Sequence, residues 1–167
     1  MIACAIDIGI TGAVAFVDSR QTCSVHDLPT LPDGKDGARK RLDGRGLGEL
    51  IRAHVPAGEV CVVAFEDVRP RPNPGRGTSI VTEGALMRSR GVVEGVLDCL
   101  RLTSRVRVVQ PQTWKRHFGL IGKDKKASRA LAVELYPSAA HSLQRVKDHN
   151  RGESLLIAHY ALTKEMS

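Results

Sequence analysis

The chain has 167 residues, of which 42% are hydrophobic and 26% charged; that is enough for one domain with a sizeable core and too apolar for a disordered chain. No stretch is long and apolar enough to span a membrane, and the N-terminus lacks the basic region, apolar core and cleavage site of a secretory signal, so a cytoplasmic protein is expected. The formal net charge of +7 favours a polyanionic partner, nucleic acid before an anionic membrane surface, with a merely solubilising charge as the alternative.

Residues 2–8 and 12–18 predict a β-hairpin around the turn from Gly9 to Gly12. Residues 22–28, TCSVHDL, alternate as a third antiparallel strand. Residues 29–46 are polar, basic and rich in turn formers, which predicts a mobile surface loop. Its Arg39, Lys40 and Arg41 are either solvated or in contact with phosphate. A short helix is predicted over 45–54. EVCVVAFEDV then reads as a buried β-branched strand that ends in Glu66 and Asp67. RPRPNPGRGTS, residues 69–79, excludes helix and central strand. A long helix follows over 80–100, a short strand in RVRVVQP stops at Pro111, and helical patterns return at 112–118, 126–136 and 151–165.

This order predicts a mixed α/β fold, with a five-stranded sheet flanked by helices in a single domain over 1–167. Cys4, Cys23, Cys61 and Cys99 form no CxxC pair. They read as reduced, mostly buried thiols, and a structural zinc site is not expected.

The acidic residues fall at the ends of core elements. Asp7 ends the first strand and Glu66 ends the strand expected beside it. Asp148 and Glu153 open the apolar C-terminal helix, where negative charge suits the helix dipole. Gathering carboxylates at one rim raises their pKa values and costs stability. A divalent cation removes that cost, and oxygen-only ligands suit Mg²⁺ or Mn²⁺. Two such ions about 4 Å apart activate water and stabilise the leaving oxygen of a phosphodiester. Each acid also has a local reading: Asp7 as a turn former, Glu66 and Asp67 as the start of a solvated loop, Asp148 as a helix cap and Glu153 as a first-turn glutamate.

In these motifs the sequence resembles the RuvC-like Holliday-junction resolvases of the RNase H-like superfamily, and the short phage-type members in particular. AIDIGITGAVAFVD is similar to the family's first strand-turn-strand, VVAFEDV to its second acidic motif and GALMRSRGVVEGVL to its glycine-bearing central helix. VVQPQTWKRHFGLIGKDKKASRALAVELYP and DHNRGESLLIAHYAL resemble its Trp-Lys segment and its closing acidic motif. The resemblance implies Asp7, Glu66, Asp148 and Glu153 as metal ligands and catalytic residues. It also implies two Mg²⁺ ions per site, with Mn²⁺ as a substitute, and a homodimer that cuts four-way DNA junctions by paired symmetric nicks leaving 5′-phosphates. The setting would be a bacterial or phage-infected cell. Two departures stand out. Asn150 occupies a position where the family often has an acid, which leaves Asp148 or His149 as fourth ligand. Asp67, Val68, Arg69 and Pro70 stand where the bacterial enzymes place an aromatic wedge shortly after the second acid, so Arg69 or another residue would have to open the junction.

On the basic side, Lys115 and Arg116 follow the single tryptophan, Trp114, which reads as core. Lys123, Lys125 and Lys126 open the next helix, and lysines there imply an anionic ligand nearby. Lys123 is assigned transition-state charge as well as phosphate contact, and Lys125 shares that role. Arg69, Arg71 and Arg76 sit in the Pro-rich loop and are candidates for the DNA backbone. Gly84, Gly91 and Gly95 share one face of the long helix around Arg88. They meet either a second copy or the chain's own sheet.

DIGITGAVAF is similar to the first phosphate loop of actin-like kinases, but those need two domains, and no Walker-type loop is present. An RNase H-like nuclease acting on flaps, forks or RNA–DNA hybrids would use the same acids. An inactive branched-DNA-binding module would lack one of them. Few aromatic residues (4%) argue against a single-strand binder built on stacking.

Overall fold

The computed structural model describes residues 1–34, 39–67, 80–102 and 105–166. Three antiparallel strands come first: β1 (Ile2–Asp7), β2 (Ala13–Asp18) and β3 (Cys23–Asp27). A small hairpin, β4 (Thr30–Asp33) and β5 (Arg39–Leu42), leads into α1 (Gly44–His54). Then follow β6 (Cys61–Glu66), α2 (Ile80–Cys99), β7 (Val106–Val109), α3 (Pro111–His117) and α4 (Lys125–Leu135). Two 3-10 turns, Pro137–Leu143 and Val146–Asp148, precede α5 (His149–Met166).

The main sheet has the order β3-β2-β1-β6-β7. β1 pairs antiparallel with β2 and parallel with β6, and β6 runs parallel to β7. The parallel pairing of β1 and β6 brings Asp7 and Glu66, the last residues of each strand, to the same sheet end.

Strand alternation divides the core in two. Ala3, Ala5, Ala15 and Ala64 face the layer of α4 and α5, where Leu155, Leu156 and Ile157 are buried. These small side chains let α5 lie close across the sheet. Cys4, Ile6, Val14, Phe16, Val63 and Phe65 face α1 and α2, meeting Leu47, Ile51, Val93 and Leu97. Gly152 lets α4 and α5 approach, since a Cβ there would stand 3.1 Å from the Arg129 backbone.

The predicted elements are present, with four differences. The expected mobile loop contains the β4–β5 hairpin, held by Asp43 N donating to Pro29 O at 2.9 Å and by Arg88 Nη1 donating to Asp33 Oδ2 at 2.7 Å. Asp67 is not solvated: it is buried and accepts from Gln110 Nε2 at 2.6 Å. Only Cys4 and Cys61 are buried; Cys23 is half-buried and Cys99 is exposed at the end of α2. Gly84, Gly91 and Gly95 do not pack on their own sheet. A Cβ at any of them would meet no described residue within 4 Å beyond the helix's own backbone, and α2 buries Ser89, Val93 and Leu97 instead.

Candidate active site at the strand ends

Asp7, Glu66 and Glu153 form the electrostatic centre of the site. Burial pushes the Asp7 carboxyl up to about 8, and the charges of Glu66 and Glu153 push the same way; Lys125 and Lys115 act against them. The turn after Asp7 is sterically fixed. Gly12 N donates to Gly9 O at 3.1 Å, and a Cβ on Gly12 would stand 2.0 Å from the Asp7 carbonyl oxygen.

Glu66 and Glu153 each have a protein partner. Trp114 Nε1 donates to Glu66 Oε1 at 2.7 Å, and Trp114 is fully buried. It is therefore core, as expected, but it also holds an acid of the site. Lys115 Nζ lies 3.7 Å from Glu153 Oε1 and 5.1 Å from the centre of the Trp114 ring. Proline at the first turn of α3 starts the helix that carries this Trp-Lys pair. The α3 helix thus reaches two acids with adjacent residues.

A cavity of about 670 Å³ opens over Asp7 and the turn 8–12, and Lys40, Lys125, Lys147, His149 and Asn150 also line it. Lys125 Nζ donates to His149 Nε2 at 3.1 Å, and His149 Nδ1 donates to Val146 O at 3.1 Å. Asn150 Nδ2 donates to Thr11 O at 2.6 Å, tying the start of α5 to the turn beside Asp7.

Asp148, the expected fourth acid, is not among the described residues that line this cavity and has partners of its own. It is buried, and both oxygens face Arg145: the Arg145 backbone N–H donates to Oδ2 at 2.7 Å and Nε donates to Oδ1 at 2.9 Å. Burial alone would raise its pKa, but the hydrogen bonds and charge of Arg145 outweigh it and hold the carboxyl below the usual range. Arg145 and Arg151 also reach Asp27, which makes a four-residue ionic cluster. Asp148 is held in this cluster, whereas His149 lines the cavity.

The basic candidates separate as well. Lys115 and Lys125 are at the acids, whereas Lys123 is not among the described residues that line the cavity. Arg116, Lys123 and Lys126 are exposed. The start of α4 is capped by Asp124, whose carboxylate accepts from Ala127 N at 3.0 Å, so its lysines do not by themselves imply a ligand there. Arg69, Arg71 and Arg76 lie outside the described residues. Sequence reasoning missed Trp114 as a partner of Glu66 and Lys147 as a cavity residue. The Trp-Lys pair was the available signal for the first; nothing marked the second.

Oxygen-rich donors, mutual repulsion and flanking lysines suit a hard divalent cation. Among the described residues, no three Asp, Glu, His or Cys side chains stand close enough to hold an ion as they are placed. Glu66 and Glu153 are engaged by Trp114 and Lys115.

No family model matches the chain. Over 158 residues it is 30% identical to the chloroplastic Holliday junction resolvase MOC1 of Chlamydomonas reinhardtii, covering 86% of this chain and 18% of that protein. The chain therefore spans less than a fifth of that relative's length. Among solved structures, Thermus thermophilus RuvC in complex with a Holliday junction substrate aligns with a TM-score of 0.58 at 14% identity, covering 99% of this chain and 96% of that one. A second T. thermophilus RuvC structure aligns with a TM-score of 0.55 at 15% identity, covering 99% and 97%. Alignment along nearly the full length of both proteins, on a sheet whose parallel strands end in the two acids, makes this chain a protein of the RuvC fold.

Proposed function

We propose that residues 1–167 act as one metal-dependent endonuclease domain that resolves Holliday junctions by paired symmetric nicks, leaving 5′-phosphate ends. The observation that carries this reading is the convergence of Asp7, Glu66 and Glu153 at one sheet end of a strongly basic protein. Asp7, Glu66 and Glu153 would hold the metal, with His149 as the further donor at the cavity. Mg²⁺ is the natural ion, with Mn²⁺ as a substitute and two ions per site. When bound, the ion supplies positive charge and Lewis acidity at the scissile phosphate and its attacking water.

The chain's own residues do the rest. Trp114 orients Glu66. Lys115 and Lys125 hold positive charge beside the acids and meet charge that develops on the phosphate. Asn150 fixes the turn that presents Asp7. The open glycine face of α2 supports a homodimer, whose two sites would match the near two-fold symmetry of a four-way junction. Free thiols support a reducing compartment, the cytoplasm of a bacterium or phage-infected cell; the algal relative is chloroplastic. No helix among the described residues is long and apolar enough to cross a membrane.

A substrate panel tests this reading: a four-way junction, a fork, a flap, an RNA–DNA hybrid and a linear duplex, each with Mg²⁺ or EDTA. The expected result is Mg²⁺-dependent nicking of the junction far above the rest. Preferential cutting of the hybrid or the flap would replace the reading with another RNase H-like nuclease activity. Tight junction binding with no nicking in Mg²⁺ or Mn²⁺ would replace it with a binding module.

A further inference from the structure

Several arginines elsewhere on the surface are paired with acids. Arg45 meets Glu49, Arg88 meets Asp33, Arg107 meets Glu165, and Arg145 and Arg151 share Asp27 and Asp148. Strand β5 differs. Arg39, Lys40 and Arg41 are consecutive cations, and none has an ion-pair partner among the described residues. Three adjacent positive charges repel one another, and an anion bound across them relieves that cost.

The strand is not a loose arm. Leu42 is buried at its end, Asp43 N bonds to Pro29 O, and the Asp33–Arg88 ion pair fastens the hairpin to α2. Asp33, across from Arg39 in the hairpin register, is thereby paired with a residue outside the basic strip. Position matters most. Lys40 lines the cavity over Asp7 together with Lys125 at the start of α4 and Lys147 in the 3-10 turn before α5. Arg39, Lys40 and Arg41 also line a second cavity of about 300 Å³ against α2, where Arg88 is exposed too. The hairpin is therefore a basic wall shared by two adjoining cavities, and one of them is lined by Asp7.

We propose that β5 is a phosphate-binding strand, on which Arg39, Lys40 and Arg41 carry the sugar–phosphate backbone of a DNA arm away from the acid site toward α2. Lys40 and Lys147 flank the strand to be cut, and Arg39 and Arg41 hold its continuation. This rests on the nuclease reading above and adds a surface that the Trp-Lys segment and the Pro-rich loop do not supply. Arg39 and Arg41, two residues apart on one face of the strand, are spaced to suit the repeat of backbone phosphates, and such contacts position the DNA without reading its sequence.

The test is junction binding, read by fluorescence anisotropy in EDTA so that nothing is cut, from about 50 to about 200 mM salt. Wild type is compared with Arg39→Ala/Lys40→Ala/Arg41→Ala and with Arg52→Ala/Arg105→Ala, two exposed arginines at the opposite end of the sheet. Each lost phosphate contact flattens the log–log salt slope by about 0.9. The β5 variant is expected to lose about 2 to 3 in slope and about ten-fold or more in affinity. The control is expected to match wild type. Should circular dichroism show the triple variant unfolded, Lys40→Gln alone is expected to lose about 1 in slope. A wild-type slope in the β5 variant, from a protein that still nicks junctions in Mg²⁺, overturns the proposal and leaves the nuclease reading intact. A wild type that neither binds nor nicks junctions overturns the nuclease reading and this one with it.

Discussion

The indole N–H of Trp114 donates to Glu66 Oε1 at 2.7 Å, so a fully buried side chain from α3 fixes the acid that ends β6. The indole has one donor and no acceptor, so this bond is the only way to satisfy it at full burial. Glu66 in turn gains a partner that does not neutralise its charge. An orienting donor of this kind leaves the carboxylate available to a cation.

Trp114→Phe removes the donor and keeps most of the ring. The bond joins a charged acceptor, so its loss is expected to lower stability by about 1.5–3 kcal/mol. Junction nicking is expected to slow about ten-fold, with more Mg²⁺ needed for half-maximal rate, because an acid displaced by a fraction of an ångström binds less well. Trp114 is the only tryptophan, so its emission reports on Glu66 directly. Mn²⁺ is expected to change that emission in wild type and not in Glu66→Gln. Emission that ignores both Mn²⁺ and Glu66→Gln would contradict the contact.

Asp7 makes stability depend on pH in a sense opposite to that of most carboxylates. Its folded pKa of about 8 lies above the ordinary value of 3.8. The folded state therefore binds more protons between these values, and stability falls as pH rises through that window. In EDTA at pH 8 or above, Asp7→Asn is expected to melt higher than wild type, by roughly 5 °C. Mg²⁺ is expected to raise the wild-type melting temperature and to leave Asp7→Asn almost unchanged. Differential scanning fluorimetry across pH, with and without Mg²⁺, checks both signs. A lower melting temperature for Asp7→Asn in EDTA would contradict the repulsive cluster.

Asp148 has the opposite sense. Its folded pKa is depressed, so the stability it contributes is present above its unfolded pKa and is lost as pH falls through the folded one. Asp148→Asn is expected to cost about 2–3 kcal/mol at neutral pH and to remove that acid-side component. Urea melts at pH 7 and at acid pH measure it. His149→Ala is expected to be well folded and to shift the metal requirement of nicking instead. A stable Asp148→Asn protein with an altered metal requirement would restore Asp148 as the ligand.

The glycine face of α2 gives a test of assembly. Beyond the helix's own backbone, no described residue lies within 4 Å of a Cβ placed on Gly91, so Gly91→Trp is expected to fold as a monomer of near wild-type secondary structure. A second copy packed there would be displaced. Sedimentation is expected to show a dimer for wild type and a monomer for the variant. A monomeric wild type, or an unchanged dimer, would contradict a dimer through this face.

The main sheet was readable because its strands are long β-branched or alternating runs bounded by turn residues, as in CVVAFE. Asp7 and Glu66 stood out as carboxylates placed directly after such runs. The β4–β5 hairpin was not readable. TLPD and RKRL show no apolar alternation, and what stabilises them is the contact with α2. The Trp114–Glu66 bond joins residues 48 apart; a buried tryptophan needs a partner, but only the tertiary fold chooses it. Asp148, His149 and Asn150 are consecutive polar residues at a 3-10-to-helix junction, where each step turns the side chain by about 100°. Which of them faces the cavity depends on Arg145, and the sequence carries no mark of that choice.

The most direct measurement is cleavage of a labelled four-way junction beside a matched linear duplex, for wild type and Asp7→Asn, in Mg²⁺ and in EDTA. Paired symmetric nicks are expected in the junction alone, and they are expected to vanish with EDTA and with Asp7→Asn. Nicking that survives Asp7→Asn, or equal cutting of the linear duplex, would contradict a junction resolvase built on this acid site.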